Sequence, residues 1–302
     1  MGVVLLAGGT GAAKLARGFL DAVGDELTVI ANTGDDVEIH GAHVSPDPDL
    51  VTFWLADAID ERGWGLAGDT FAAMDEMRAL GADVWFSLGD RDLGICLHRA
   101  RRLQEGATLT EVADELRRRF GVAARVLPMS DQPVRTQIRA RDAWHPFQHF
   151  MIRESAEGPV DDVHFNFATR AVPTQAALAA IAAARVIVIG PSNPVISIGP
   201  ILAVPGMREA LAAAPAPVIA VSPLVRGSVV KGPTDVFMAW AGQPLSSEGI
   251  AAHYADLIDG LVADEPAEGV PTRVCDVELG DATQRRAVAE ATLAHAAALT
   301  VA

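Results

Sequence analysis

Short apolar runs alternate with stretches of helical periodicity along the whole chain. VVLLA at 3–7 and LTVIA at 27–31 read as buried strands, and a helical pattern fills 12–23 between them. Helical spacing resumes over 50–61 until Gly63-Trp64-Gly65 breaks it, and again over 71–80, where Asp69 or Thr70 stands at the capping position. VWFSL at 84–88 predicts another strand, followed by a helix over 93–104. Thr108 and Glu111 form a capping box for a helix over 109–120, and strands follow near 123–127 and 134–139. Residues 106–170 are the least regular part, and we expect them to form a subdomain packed on a single-domain core. Alternation then returns: a helix from Pro173 to Ala184, strands at 185–190 and 217–222, and helices at 205–213 and 246–258. Strands at 260–263 and 272–277 and a helix over 281–299 complete the chain.

Alternating strands and helices imply an α/β doubly wound parallel sheet. Ligands of such sheets sit outside the carboxyl ends of the strands. The unusual segments all fall at such ends: 8–11, 32–49, 89–92, 190–194 and 222–233. Their convergence says more than any one of them. Gly8-Gly9-Thr10-Gly11, with Lys14 in the next turn, reads as a phosphate-binding helix N-terminus or as an ordinary β–α turn. It is neither a P-loop nor a full dinucleotide fingerprint, because Lys14 stands where the third glycine belongs. That spacing counts against a nicotinamide-linked oxidoreductase.

Composition narrows the classes. Half of the 302 residues are apolar, mean hydropathy is +0.24, and no apolar run reaches the length of a membrane span. The net charge of −15 disfavours nucleic acid and anionic membranes as partners. The two cysteines, Cys96 and Cys275, lack metal-ligand spacing and suit a reducing cytoplasm. Only two lysines exist, Lys14 and Lys231, so an anionic ligand must be held by backbone N–H groups, a few cations or a metal.

Asp35, Asp36, Asp47, Asp49, Asp90 and Asp92 crowd these segments. Single aspartates there usually cap turns. Two such pairs and a Gly-Asp-Arg-Asp run favour a hard divalent cation, Mg²⁺, bridging to phosphate. Arg91 is either an ion-pair partner or a ligand of the substrate, and Trp64 either stacks on a planar ligand or fills a gap. Ser192 and Asn193 lie in a stiff turn between prolines. Neither a Ser-His-Asp order nor HExxH nor CxxC occurs, so metal-assisted phosphoryl chemistry fits best.

The stretches LLAGGTGAAKL, VIANTGDDVEIHG, SPDPDLVTFWLAD, GWGLAGDTF, LGDRDLG, IGPSNPVISIGPILAVPGMREAL and SPLVRGSVVKGP, spaced over more than 200 residues, closely resemble the 2-phospho-L-lactate transferase family of coenzyme F-420 biosynthesis, with its bacterial phosphoenolpyruvate-type members. The resemblance implies a Rossmann-like core with a packed α/β insertion and a cytoplasmic homodimer. It implies transfer of phospholactate, phosphoenolpyruvate or a similar phospho-acid from its guanosine diphosphate conjugate to the deazaflavin alcohol FO. GMP leaves, Mg²⁺ is required, and the product is F-420-0 or its dehydro form. Carried over residue by residue, FO contacts fall on Asp49 and Arg91, which are also the expected catalytic residues, with Trp64 beside them. The nucleotide side falls on Gly8, Gly9, Thr10, Gly11, Lys14, Asn32, Ser192 and Asn193, and the metal on Asp36 and Asp47. Pro48 and Leu50 replace the Leu and Thr of many relatives, which stiffens this loop and removes a hydroxyl. A nucleotide-sugar-binding regulator of a related family, sharing the glycine-rich start and the Asn-Thr-Gly-Asp-Asp segment, is the alternative.

Overall fold

The computed structural model describes residues 2–301. Its centre is a seven-stranded sheet of β1 (Gly2–Ala7), β2 (Leu27–Ala31), β3 (Arg125–Pro128), β4 (Ala184–Ile189), β5 (Val218–Val221), β6 (Gly260–Ala263) and β7 (Thr272–Val274). Every pairing is parallel, and the spatial order is β3-β2-β1-β4-β5-β6-β7. The order reverses between β1 and β4, the topological switch point of a Rossmann-like sheet.

The central strands β1, β4, β5 and β6 are almost wholly apolar because both faces are covered, whereas the edge strand β7 (Thr-Arg-Val) is partly exposed. Val3, Leu5, Val186 and Val188 pack on one side, against Leu15 and Phe19 of α1 (Gly9–Val23) and Val288 and Ala289 of the C-terminal helix Ala282–Val301. Val4, Leu6, Ile187 and Ile189 face the other way, toward Ile181, Leu211 and Ile250 of three short helices.

Several expectations shift. The glycine segment is not a turn ahead of a helix: α1 begins at Gly9, so Gly9, Thr10 and Gly11 form its first turn. The region 32–49 is more ordered than a loop. It holds a hairpin, Val37–Ile39 with Ala42–Val44, and the start of α2 (Pro46–Leu55), because Pro46 is pre-set for a first helical position. Residues 84–88 are not a strand: Phe86 and Leu88 instead fill a small cluster with Ala42, Val44 and Cys96. Gly-Asp-Arg-Asp therefore follows no sheet strand. It forms the start of α4 (Asp90–Gln104), which comes after α3 (Ala72–Ala79). Asp69 caps α4 by accepting from Arg91 and Asp92 N–H, whereas Asp90 caps α3 by accepting from Ala72 and Ala73 N–H. The helix Thr234–Trp240 has no counterpart among the expected elements.

α5 (Leu109–Arg119) starts at the anticipated Thr108–Glu111 capping box, and β3 after it joins the main sheet. A separate three-stranded antiparallel sheet spans 135–166, and its Ile138 and Ala140 pack with Phe150, Val195 and Phe237.

Candidate active site

The switch point is closed by backbone approach. Ser192, after β4, donates its hydroxyl to the Gly8 carbonyl and accepts from Ala12 N–H at 3.3 Å. A side chain at Gly11 would collide with the Pro191 carbonyl oxygen, and one at Gly190 would lie 2.6 Å from Ala12 Cβ. The first task of these glycines is thus to seat α1 against the 190–193 turn. Asn193 Oδ1 accepts from Val195 and Ile196 N–H, leaving its buried Nδ2 without a partner among the described residues.

The head of α1 is met by a carboxylate of the same chain. Gly9 N–H donates to Asp47 Oδ1 at 2.6 Å, and Asn32 Nδ2 donates to Asp47 Oδ2 at 2.9 Å. Burial pushes the Asp47 carboxyl up to about 6 although both hydrogen bonds pull it down. Asp36 accepts from His43 at 3.0 Å and from the Ser45 hydroxyl at 2.8 Å. Asp35 is buried as well, and its Oδ1 has no partner among the described residues. Burial, then the neighbouring Asp47 charge, holds its carboxyl well above the carboxylate range. Asp35, Asp36 and Asp47 are thus neighbouring buried carboxylates, and among the described residues none of them pairs with a guanidinium or ammonium. Their oxygens suit a hard divalent cation in kind, although they are not gathered within 4.8 Å of one another. The sequence reading placed the metal on Asp36 and Asp47; the orphaned oxygen belongs to Asp35.

α2 projects Asp49 away from Asp47, toward α4. There Arg99 donates to Asp49 Oδ1, and its second amino group donates to the His43 carbonyl at 2.9 Å. Both partners of this ion pair are buried. Asp92 and Cys96 offer ligand atoms within 4.8 Å of those of Asp49. Burial, reinforced by the Asp49 charge, pushes the Asp92 carboxyl up to about 7. Arg99 escaped the sequence reading of the site, whereas Asp92 was read there only as one of the carboxylates favouring a divalent cation. Asp92, Cys96 and Arg99 follow i, i+4, i+7 spacing, so one polar face of α4 was the available signal.

Arg91 lies elsewhere. It is exposed, its guanidinium donates to the Ala67 carbonyl at 3.2 Å, and among the described residues it pairs with no carboxylate. Trp64 is 43% exposed, and the Arg62 guanidinium stacks on it 4.3 Å from the ring centroid. The aromatic residues beside the carboxylates are Trp85 and Phe147. With Gly34, Asp35, Asp36, Gln148 and His149 they wall a cavity of about 290 Å³.

The two lysines are neighbours. Lys14 and Arg285 flank Trp54, 5.8 and 5.3 Å from its ring centroid. Burial, then the charges of Arg285 and Lys231, lowers the Lys14 pKa. Lys14, Lys231 and Arg285 make a cationic group in an acidic protein.

No helix among the described residues is long and apolar enough to cross a membrane. The model of the family described as 2-phospho-L-lactate transferase CofD matches residues 3–293. A phosphoenolpyruvate transferase of Kitasatospora aureofaciens is 45% identical over 278 residues, covering 89% of this chain and 86% of its own. A 2-phospho-L-lactate transferase of Methanosarcina mazei is 39% identical over 265 residues, covering 87% of each. Among solved structures, a UPF0052 family protein of Bacillus halodurans superposes with a TM-score of 0.63 over 97% of this chain and 98% of its own, at 19% identity, and so shares the fold.

Proposed function

The chain belongs to the 2-phospho-L-lactate transferase CofD family, whose members transfer a phospho-acid in coenzyme F-420 biosynthesis, and we propose which substrates its site takes and how. The acceptor is FO and the donor is a phospho-acid linked to GMP as a guanosine diphosphate conjugate. The observation that carries this reading is the meeting of three features at the carboxyl edge of the sheet. These are a helix N-terminus, a buried carboxylate group with an orphaned oxygen, and an aromatic-walled cavity.

The donor diphosphate lies at the head of α1, where Thr10 and Gly11 N–H groups face negative charge favourably. Lys14, with Lys231 and Arg285 beside it, adds positive charge. Asn32, Ser192 and Asn193 shape the nucleotide wall. Asp35, with Asp36 and Asp47, would hold Mg²⁺, which supplies charge neutralisation at the diphosphate. The deazaflavin ring occupies the cavity between Trp85 and Phe147, and Gln148 gives its edge a polar partner. Trp85 thereby takes the stacking role that the sequence suggested for Trp64.

In the transfer, the terminal ribityl hydroxyl attacks the phosphorus that carries the phospho-acid. A new P–O bond forms, the P–O bond to GMP breaks, and GMP leaves with the bonding pair. Asp49 orients the hydroxyl and receives its proton. Arg99 fixes the Asp49 carboxylate, and Arg91, exposed one residue before Asp92, is the family-implied contact of FO, to be tested by its own substitution. The 45% identical relative is named for phosphoenolpyruvate, which supports the enolpyruvyl donor.

Incubation with Mg²⁺, FO and each of the lactyl, enolpyruvyl and glyceryl guanylated donors, read by mass spectrometry, tests the reading. The expected result is GMP with the dehydro product as the main species. Absence of FO binding and of any product would overturn it in favour of a nucleotide-sugar-binding regulator. A homodimer and a cytoplasmic setting belong to the same proposal, the first being read by light scattering.

A further inference from the structure

Outside the carboxylate site, one side-chain group has the chemistry of a different metal. His145 stands in the strand Ala143–Pro146, His149 in the helix Phe147–Ile152, and Glu154 just beyond it. Their ligand atoms all lie within 4.8 Å of one another. The two imidazoles are stacked, with centroids 5.6 Å apart and planes 12° off parallel. His149 Nδ1 is buried, has no hydrogen-bond partner among the described residues, and lies 3.9 Å from Glu154 Oε1. The other Glu154 oxygen is held by Arg141 at 3.2 Å, and the edge of Trp85 packs on His149, so neighbours orient both groups.

We propose that His145, His149 and Glu154 bind a borderline divalent transition metal of the Zn²⁺ class, separate from the Mg²⁺ of the transfer reaction. Two imidazoles and one carboxylate select such ions, whereas Mg²⁺ prefers an all-oxygen set. Metal–ligand distances of about 2.0–2.2 Å require the three ligand atoms to draw closer, a contraction that rotations of half-buried side chains permit. Three protein ligands leave a fourth position for water, which makes this an exchangeable site and not a closed structural one. His149 also lines the aromatic cavity, so the metal site adjoins it. Metal binding itself stands whether or not the cavity receives FO.

The test is titration of the chelator-stripped, full-length protein with Co²⁺, read by visible d–d absorption, and with Zn²⁺, read by calorimetry. Both are done in excess Mg²⁺. One ion per chain with micromolar affinity is expected. His145→Gln, His149→Gln and Glu154→Gln each weaken binding at least tenfold, while Asp92→Asn does not. Far-UV circular dichroism confirms that each variant is folded. Absence of sub-millimolar binding would overturn the proposal. So would binding that survives the histidine substitutions or is lost in Asp92→Asn, which would move the ion to the Asp49, Asp92 and Cys96 group.

Discussion

Arg99 on α4 and Asp49 on α2 form a buried ion pair, and the guanidinium reaches on to the His43 carbonyl. The pair ties α2 to α4, and the His43 contact ties both to the hairpin that leads into α2. Removing one member strands the other charge in a low-dielectric setting, at about 3–5 kcal/mol. Arg99→Ala should therefore lower stability by that order in urea unfolding. The double variant Arg99→Ala/Asp49→Ala should be less destabilised than the sum of the two single variants. Simple additivity would show that the pair is not coupled.

Asp49→Asn keeps the size and a hydrogen-bond acceptor but removes the charge. Turnover should be abolished while GDP binding, measured by calorimetry, stays nearly intact. Wild-type turnover in this variant would remove Asp49 from the chemistry.

Asp92 titrates near 7 in the folded protein, against about 3.9 in an unfolded chain. Between those values the folded state binds more protons than the unfolded state. Stability therefore falls as pH rises through this window and levels off above about 7. In chelator-containing buffer, Asp92→Asn should gain about 1–2 kcal/mol over wild type at pH 8 and nothing at pH 4. Parallel wild-type and variant stability curves would refute the assignment.

Asp35 and its neighbours predict a metal-dependent stability. Adding Mg²⁺ to stripped wild-type protein should raise Tm by several degrees, since binding to the native state alone adds stability. Asp35→Asn should be more stable than wild type without metal and respond little to it. An equal Mg²⁺ response in both proteins would place the cation elsewhere.

Trp85→Ala should raise KM for FO at least tenfold and leave donor affinity within twofold, whereas Trp64→Ala should change neither. A reversed pattern, read by steady-state kinetics with each substrate varied, would return the stacking role to Trp64.

The sheet was legible because its central strands carry unbroken apolar runs such as VVLLA and VIVI, buried on both faces. VWFSL misled for the same reason: a short apolar run says "buried" before it says "strand". Phe86 and Leu88 are buried, but under the hairpin instead of in the sheet. The site divides similarly. Motif and topology both point to Asp49 and the switch-point residues, so these were readable as candidates from the sequence. Arg99 and Trp85 were missed because their partners lie 50 residues or more away in sequence, at Asp49 and at 135–149. Asp69 shows a milder limit: its capping character was readable, but not which helix it would cap.

The Asp47 carboxylate at the head of α1 changes what donor recognition means. Asp47 sets an anion of the same chain against the Gly9 N–H, one of the groups a phosphate at this helix terminus would meet. Donor affinity is then the difference between two occupants and not the full attraction of one. On the proposed donor placement, an incoming diphosphate would compete with Asp47 for the Gly9 N–H. A helix terminus that carries its own counter-anion would, on that placement, favour ligands whose charge and geometry outcompete a carboxylate already in position.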